Sequence, residues 1–195
     1  HRPLYAEASI GLPPTDLPTG MDRTDPVSVE LAPGRRIRVR GRIDRVDRRI
    51  SDGAYVITDY KSGSNWAYKQ KDPFRQGRVV QHLLYTLAVQ QCLAEAGEKG
   101  ARVAAFRYLF PTSQAQGEGI QRERESLEEG REVLGHLCDI ASAGCFAPTD
   151  SADDCKWCGY ALICGDTSAQ ALRMVSKLTG NDPVLAPMRK LRGYE

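Results

Sequence analysis

Two aspartates and one lysine lie in consecutive stretches that the sequence predicts to be strands. Asp44 belongs to the alternating stretch 35–47, and Asp59 and Lys61 end the apolar stretch 54–61. Facing carboxylates repel each other unless a cation lies between them, and hard divalent cations such as Mg²⁺ or Mn²⁺ prefer oxygen ligands. A metal there would polarise a phosphate and lower the pKa of bound water, and the lysine would act on that water. This set could therefore hydrolyse a phosphodiester bond with the help of metal.

A predicted β-hairpin brings these side chains together. Residues 35–47 alternate between apolar and charged side chains, which is typical of a half-buried strand, and residues 51–53 carry a turn signal. An antiparallel hairpin that turns near residues 51–52 places Asp44 opposite Asp59, with Cβ atoms about 5 Å apart. Asp59 and Lys61 are two residues apart and share a face. The alternative to a metal site is a structural salt bridge between the two strands on an exposed sheet face.

The remaining elements alternate between strands and helices. The sequence predicts an early strand or irregular segment around residues 4–10, followed by a loop to residue 34. Later elements are predicted as a helix at 76–96, a strand at 103–110, a helix at 126–143, a loop at 145–154 and short helices at 168–179 and 183–192. This order indicates an α/β or α+β fold around a mixed sheet.

Gln81 and Tyr85 form a second polar pair, on the helix that follows the hairpin. They are four residues apart and so lie on one helical face, where both can hydrogen-bond to phosphate or water. The alternative is a polar helix edge that packs against a strand. His82 faces another direction and is not predicted to be catalytic.

Three of the six cysteines are crowded into ten residues. Cys155, Cys158 and Cys164 follow a C-x2-C-x5-C spacing, and thiolates suit iron–sulfur clusters or zinc. The alternatives are free thiols or a zinc knuckle. Cys92 and Cys138 are predicted to be small core residues of helices.

Composition indicates an ordinary globular chain. It has 195 residues, 41% hydrophobic and 27% charged, with a formal net charge of +2, so bulk charge gives no argument for nucleic acid. No apolar run of about 18 residues predicts a membrane span, and no secretory signal is visible. We expect no membrane partner and a reducing, cytoplasmic location. Because the first residue is His1 rather than Met, we expect a fragment of a longer protein.

The strand motifs resemble those of the PD-(D/E)XK nuclease superfamily, and in particular the RecB/AddB-type exonuclease domain. In that family a Gly-x-x-Asp strand precedes an (Asp/Glu)-x-Lys strand, matched here by Gly41 with Asp44 and by Asp59 with Lys61. The resemblance covers residues 4–165 and implies a restriction-endonuclease-like fold, a mixed central sheet flanked by helices.

The family pattern also has a Gln-x-x-x-Tyr helix, matched by Gln81 and Tyr85, and an upstream acidic residue, for which Glu7 is in the expected position. The resemblance implies that Asp44, Asp59 and the backbone carbonyl of Tyr60 bind Mg²⁺ or Mn²⁺, with Glu7 as a further ligand. It also implies a catalytic set, which comprises Asp44, Asp59, Lys61, Gln81 and Tyr85.

In the AddB-like group three C-terminal cysteines join one upstream cysteine to bind a [4Fe–4S] cluster. The resemblance implies this role for Cys155, Cys158 and Cys164, but no cysteine precedes Cys92. The fourth ligand is expected upstream of His1; alternatively Cys145 or Cys138 supplies it, or the cluster is absent. The implied organisation is one nuclease domain over 1–195, with a cysteine-rich segment at 145–167 and a helical tail at 168–195.

The implied function is a metal-dependent DNA nuclease, most consistent with an exonuclease, acting on single strands or duplex ends in repair or recombination with a helicase domain or subunit. Two other functions remain open: a catalytically silent nuclease-like module, and a small zinc or redox protein. The arginines of the first strand either line a groove for the DNA backbone or form a solvated face; they are Arg36, Arg38, Arg40 and Arg42.

Overall fold

The computed structural model describes residues 1–98 and 100–194. The chain divides into two compact units, His1–Arg131 and Glu132–Glu195. The described part of the first unit contains the strands β1 (Arg2–Ile10), β2 (Val27–Ala32), β3 (Arg35–Val39), β4 (Gly41–Arg48), β5 (Tyr55–Tyr60), β6 (Val103–Phe110) and β7 (Glu118–Glu123). Its helices are α1 (Gln81–Glu95), α2 (Arg124–Glu128) and the first residues of α3 (Gly130–Ser142).

The central sheet has the strand order β1-β4-β5-β6-β7. Strands β5 and β6 are parallel and the other neighbours are antiparallel. A parallel pair requires a crossover connection, and α1 provides it between β5 and β6. Helix α1 packs on β6, and α2 packs on β6 and β7. The predicted α/β fold, with a mixed central sheet flanked by helices, is therefore confirmed.

The β4–β5 hairpin has the predicted register. Arg45 pairs with Thr58 and Val46 with Ile57, so the next position along places Asp44 opposite Asp59. The turn is closed by a backbone hydrogen bond from Arg49 N to the Ala54 carbonyl, at 2.7 Å. Alternation and turn chemistry, both local signals, were sufficient to define this pairing.

The predicted strand 35–47 is wrong, because the structure has two strands there. β3 pairs with β2 in a separate two-stranded sheet, whereas β4 pairs with β1 in the central sheet. The break falls at Arg40, whose guanidinium donates to the Gly11 carbonyl at 2.9 Å. The four arginines therefore do not share one face with Asp44. Strands β2 and β7, within regions expected to be loops or left unassigned, were missed.

Helix boundaries also differ from the predictions. Helix α1 begins at Gln81 rather than near residue 76, because Arg75, Gln76 and Gly77 have φ values of 47°, 54° and 84°. Such left-handed residues cannot continue an α-helix. The predicted helix 126–143 is divided into α2 and α3, and α3 starts at Gly130.

The second unit is helical, with α4 (Ala161–Cys164), α5 (Thr167–Leu178) and α6 (Ala186–Arg192) following α3. Helix α5 begins after Asp166, whose carboxylate accepts a hydrogen bond from Ala169 N at 2.9 Å, as an N-cap residue does. These helices agree with the predictions for 168–179 and 183–192; Glu195, the last residue of the predicted tail, lies outside the described residues. Among the described helices, none has the length and apolar character needed to cross a bilayer.

The core of the second unit is a small apolar cluster of its own. Its buried members are Met174, Leu178, Leu185 and Met188. Partly buried side chains packed against them include Ile140 and Cys145.

Candidate active site

Asp59, Lys61 and Gln81 form a closed triangle of polar contacts. Gln81 Nε2 donates to Asp59 Oδ1 at 2.9 Å, and Lys61 Nζ donates to Gln81 Oε1 at 2.8 Å. Lys61 Nζ also lies 2.7 Å from Asp59 Oδ2, in an ion pair. Strand β5 ends at this point and α1 begins here, so a strand end and a helix start hold the three groups. Each side chain is oriented by the other two, which is the preorganisation that catalysis needs.

Burial dominates the electrostatics of Asp59. This carboxylate is only 3% exposed. Burial raises the pKa of Asp59 above its usual value, the neighbouring charge of Asp44 raises it further, and the hydrogen bond and charge of Lys61 oppose the rise. The ammonium group therefore compensates only part of the cost of a buried anion, and a site of this kind favours additional positive charge.

Asp44 lies beside this triangle on β4. Its Oδ2 accepts a hydrogen bond from the backbone N–H of Tyr60 at 2.7 Å, which ties β4 to the end of β5. Glu7 is on the neighbouring strand β1. The pairs Ala6 with Arg45 and Ala8 with Ile43 flank it, so the register places Glu7 opposite Asp44. Glu7 is exposed and has a left-handed φ of 53°, which is unusual for a non-glycine residue in a strand.

Tyr85 lies one helical turn beyond Gln81, next to Gly41. A Cβ atom at Gly41 would lie 2.7 Å from the Tyr85 hydroxyl oxygen and 3.0 Å from its Cε1. A glycine is therefore required at the start of β4 to make room for the phenol. The contact connects the Gly-x-x-Asp strand directly to the Gln-x-x-x-Tyr helix.

Tyr108 forms the floor beneath Lys61. This tyrosine is fully buried, and Lys61 Nζ lies 5.9 Å from its ring centroid. Its hydroxyl is 3.0 Å from Nδ1 of His82, a fully buried residue whose ring stacks on Phe74 at 5.0 Å. Burial lowers the pKa of His82 to about 4, with a smaller contribution from Arg122. His82 is a neutral core residue that supports Tyr108.

The donor set fits a hard divalent cation chemically. Asp44, Asp59 and the Tyr60 backbone offer only oxygen ligands, and Asp59 Oδ2 is buried with the Lys61 ion pair as its described partner. In residues 1–98 and 100–194, however, no three His, Cys, Asp or Glu side chains are grouped closely enough to hold a metal ion. The structure brings Asp59, Lys61 and Gln81 into direct contact and ties Asp44 to the end of β5. Tyr85 lies next to Gly41, and Glu7 lies opposite Asp44 on β1.

The cysteine segment lies in the second unit. Cys155 ends a short 3-10 turn (Ala152–Cys155), the backbone N–H of Cys158 donates to the Cys155 carbonyl at 3.1 Å, and Cys164 ends α4. Partial burial raises the pKa of the Cys155 thiol, and the nearby thiols of Cys158 and Cys164 raise it further. None of the six cysteines, all of which lie in the described residues, forms a disulfide bond. Cys92 is buried, as predicted, and Cys138 is partly buried.

The sequence matches the family profile of the PD-(D/E)XK nuclease superfamily over residues 13–165. The mixed sheet and the Asp59–Lys61 ion pair agree with this match, and the chain belongs to this superfamily. Its members generally use divalent metals.

Curated relatives are much longer proteins. A subunit of an ATP-dependent helicase/deoxyribonuclease from Symbiobacterium thermophilum is 39% identical over 116 residues, which cover 56% of this chain and 9% of that protein. The protein of the same description from Clostridium tetani is 35% identical over 86 residues, covering 43% and 7% respectively. One from Clostridium botulinum is 40% identical over 86 residues. The matched region thus spans less than a tenth of each relative.

Sequence reasoning missed two features of the site. The first is the Tyr108 floor, for which the run of aromatics in β6 was the available signal. The second is the steric role of Gly41, a residue that the motif identified without a physical reason. Both depend on contacts between elements distant in the chain.

Proposed function

We propose that this chain is a metal-dependent deoxyribonuclease that hydrolyses phosphodiester bonds, as an exonuclease acting on single strands or duplex ends. The observation that carries the proposal is the triangle of Asp59, Lys61 and Gln81 beside Asp44. It combines a buried carboxylate, a cation and an orienting amide in direct polar contact, on the strand and helix ends where the superfamily motif falls.

Each residue has a distinct role in this proposal. Asp44, Asp59 and the Tyr60 carbonyl would hold Mg²⁺ or Mn²⁺, with Glu7 as a further ligand on the adjacent strand. When bound, the metal supplies charge for the phosphate and acidifies water. Lys61 orients the attacking water and stabilises charge on the phosphate. Gln81 fixes the Lys61 ammonium and the Asp59 carboxylate at once, and Tyr85 donates its hydroxyl to a phosphate oxygen.

The test is cleavage of end-labelled single-stranded and duplex DNA with Mg²⁺ or Mn²⁺, comparing the parent chain with Lys61→Ala. Lys177→Ala is the matched control, because it removes an exposed lysine in the second unit. We expect cleavage by the parent and the control and a loss of at least about 100-fold in Lys61→Ala. Equal cleavage by parent and Lys61→Ala would refute the assignment. DNA binding without cleavage in all three would instead support the catalytically silent module.

The names of the relatives support a helicase as partner or neighbouring domain. Those proteins are described as helicase/deoxyribonuclease subunits. We propose that this nuclease likewise works with a helicase, in DNA repair or recombination in the cytoplasm. Co-purification of the nuclease with a helicase from the native source tests this association, and recovery of the nuclease alone at native abundance would contradict it.

A second cofactor is proposed for the cysteine segment. Cys155, Cys158 and Cys164 supply three thiolates of the kind that hold a [4Fe–4S] cluster, whereas Cys145 packs on the apolar cluster of the second unit. Such a cluster would be structural, because hydrolysis of a phosphodiester needs no redox step. Iron, sulfide and zinc analysis of the purified protein separates cluster, zinc and free thiols. If a cluster is bound, Cys158→Ser should lose iron and lower the stability of the second unit, whereas its effect on cleavage should be smaller.

A further inference from the structure

The loop between Lys61 and α1 contains an exposed tryptophan paired with an arginine. Trp66 is 61% exposed, although it lies within the first unit close in sequence to the buried site. The guanidinium carbon of Arg75 lies 5.0 Å from the indole ring centroid, in a cation–π contact. An exposed indole beside a cation is the arrangement that binds stacked bases and their phosphates.

A cleft of about 300 Å³ opens beside this pair. Its lining includes the cations Lys71, Arg75 and Arg78, together with the carboxylate of Asp72. The Asp72 carboxylate already accepts backbone N–H groups, from Phe74 at 2.8 Å and from Gln76 at 2.6 Å. The cleft therefore presents an excess of positive charge, which suits a phosphodiester backbone.

The backbone of the loop before α1 has an energetically unfavourable conformation. Arg75, Gln76 and Gly77 all have left-handed φ values, and two of the three are not glycine. Non-glycine residues rarely adopt this region and persist there only where surrounding contacts maintain them. The two hydrogen bonds to Asp72 maintain them here. In this conformation the Arg75 guanidinium lies over the Trp66 ring.

Trp66 is linked to Tyr108 through the neighbouring residue Tyr68. Trp66 begins a 3-10 turn (Trp66–Tyr68), and the Tyr68 ring packs on Tyr108 with centroids 4.3 Å apart. Tyr108 is the ring beneath Lys61. On the other side, Lys69 forms a 2.8 Å ion pair with Glu118 of β7. Five residues span at most about 17 Å, so Trp66 lies within reach of nucleotides next to a phosphate at Lys61.

We infer that Trp66 and Arg75 form a binding subsite for single-stranded nucleic acid, with a base stacked on the indole and its phosphate bound by the cations of the cleft. The inference rests on the proposed nuclease function and specifies its substrate as an unpaired strand. In a duplex both faces of each base are covered by neighbouring pairs, so stacking on Trp66 requires a single strand or a frayed end.

The test uses the fluorescence of Trp66 itself. The chain has two tryptophans, so Trp157→Phe leaves Trp66 as the only one. This variant is titrated with oligothymidylate in EDTA, where metal-dependent cleavage does not occur. We expect quenching by oligothymidylate, and none by an abasic oligonucleotide of equal length or by a blunt duplex. Trp66→Phe, which keeps only Trp157, is the matched control and should show no quenching.

Affinity provides the second measurement. By fluorescence anisotropy, Trp66→Ala should bind single strands roughly tenfold more weakly, and Trp66→Phe should retain most of the affinity because it keeps an aromatic face. Arg75→Ala should weaken binding and reduce its salt dependence.

Three outcomes would overturn the inference. Unchanged fluorescence of Trp66 with the oligonucleotide bound would overturn the subsite and leave the nuclease proposal intact if cleavage persists. Quenching of Trp157 alone would move the contact to the second unit. Absence of both binding and cleavage in the parent chain would remove the subsite together with the proposed function.

Discussion

Lys61 contacts three other groups of the site. It is an ion-pair partner of Asp59, a donor to Gln81 and a cation over the Tyr108 ring. Its position is thereby defined in three directions, which limits the entropy lost when a substrate arrives. Gln81 uses both ends of its amide, one to accept and one to donate, so a carboxylate substituted there would remove the donor to Asp59 Oδ1.

The buried His82 makes stability depend on pH. Its pKa is about 4 in the folded protein and 6.5 ordinarily, so between these values the unfolded chain binds a proton that the folded chain does not. The free energy of unfolding should therefore fall as pH decreases from 6.5 to 4, by up to roughly 3 kcal/mol. His82→Gln should flatten this slope in urea unfolding at several pH values. The control is His136→Gln, which removes a histidine that lies on α3 and not among the aromatic rings around His82, and it should keep the slope. Equal slopes for the parent and His82→Gln would contradict the prediction.

Gly41 should affect catalysis through Tyr85. In Gly41→Ala the new methyl group would displace the phenol, because both the hydroxyl oxygen and Cε1 lie within 3.0 Å of it. We expect kcat to fall roughly 10- to 100-fold with a small change in stability, since misplacement of a positioning group by about 1 Å can cost this much. Steady-state cleavage measures it. Gly159→Ala, with no atom within 4 Å of the new Cβ, is the control, and equal losses in the two variants would disprove the steric link.

At the scale of elements, helix α1 organises the first unit. It crosses from β5 to β6, carries Gln81 and Tyr85 to the site, and packs on β2 and β3 as well as β6. Eight of its fifteen residues are buried, so it is covered on more than one side. A helix covered in this way has little freedom to shift, and the Gln81 contacts with β5 are correspondingly precise.

Gly130, the first residue of α3, packs closely against Phe74 and Leu83, and a substitution can test this contact. A Cβ atom at Gly130 would overlap the Phe74 ring and approach Leu83 Cδ2 to 2.6 Å. Although alanine favours helices by about 1 kcal/mol over glycine, Gly130→Ala should destabilise the protein by about 1–3 kcal/mol, because overpacking outweighs helix propensity. Thermal or urea unfolding measures the change. Adding Phe74→Leu should recover part of the loss, and a stabilised single variant would show that the packing argument is wrong.

At the scale of the whole molecule, the candidate active site and the cysteine segment belong to different compact units. The carboxylates and Lys61 lie in His1–Arg131, and the cysteine segment lies in Glu132–Glu195. The family profile covers residues 13–165 and so extends across the boundary between the units. The predicted single domain over 1–195 stays a prediction. Each unit has its own buried apolar side chains, so we expect a core substitution in one unit to destabilise that unit first.

The second unit depends on Leu178. This side chain is fully buried in the cluster with Met174, and Leu178→Ala should cost about 2–5 kcal/mol. Hydrogen exchange should accelerate first in the peptides of α5 and α6. The matched control on the same helix is Leu172→Ala, because Leu172 is 71% exposed and its truncation should change exchange little. Similar effects from both substitutions would contradict an independent core.

The sequence alone determined what is local. Alternation and a turn defined the β4–β5 register, and helical spacing placed Gln81 and Tyr85 on one face of α1. The motifs then identified the carboxylates and the lysine. These features could be predicted because side-chain direction follows from position along a strand or helix.

Only the tertiary structure decided which elements meet. The division of the first arginine-rich strand at Arg40, the Tyr108 floor, the space that Gly41 leaves for Tyr85 and the Trp66–Arg75 pair all depend on such contacts. Periodicity states which face of an element is apolar, but it does not state which distant element covers that face. That choice is made by packing between side chains far apart in the chain, and no local pattern contains it.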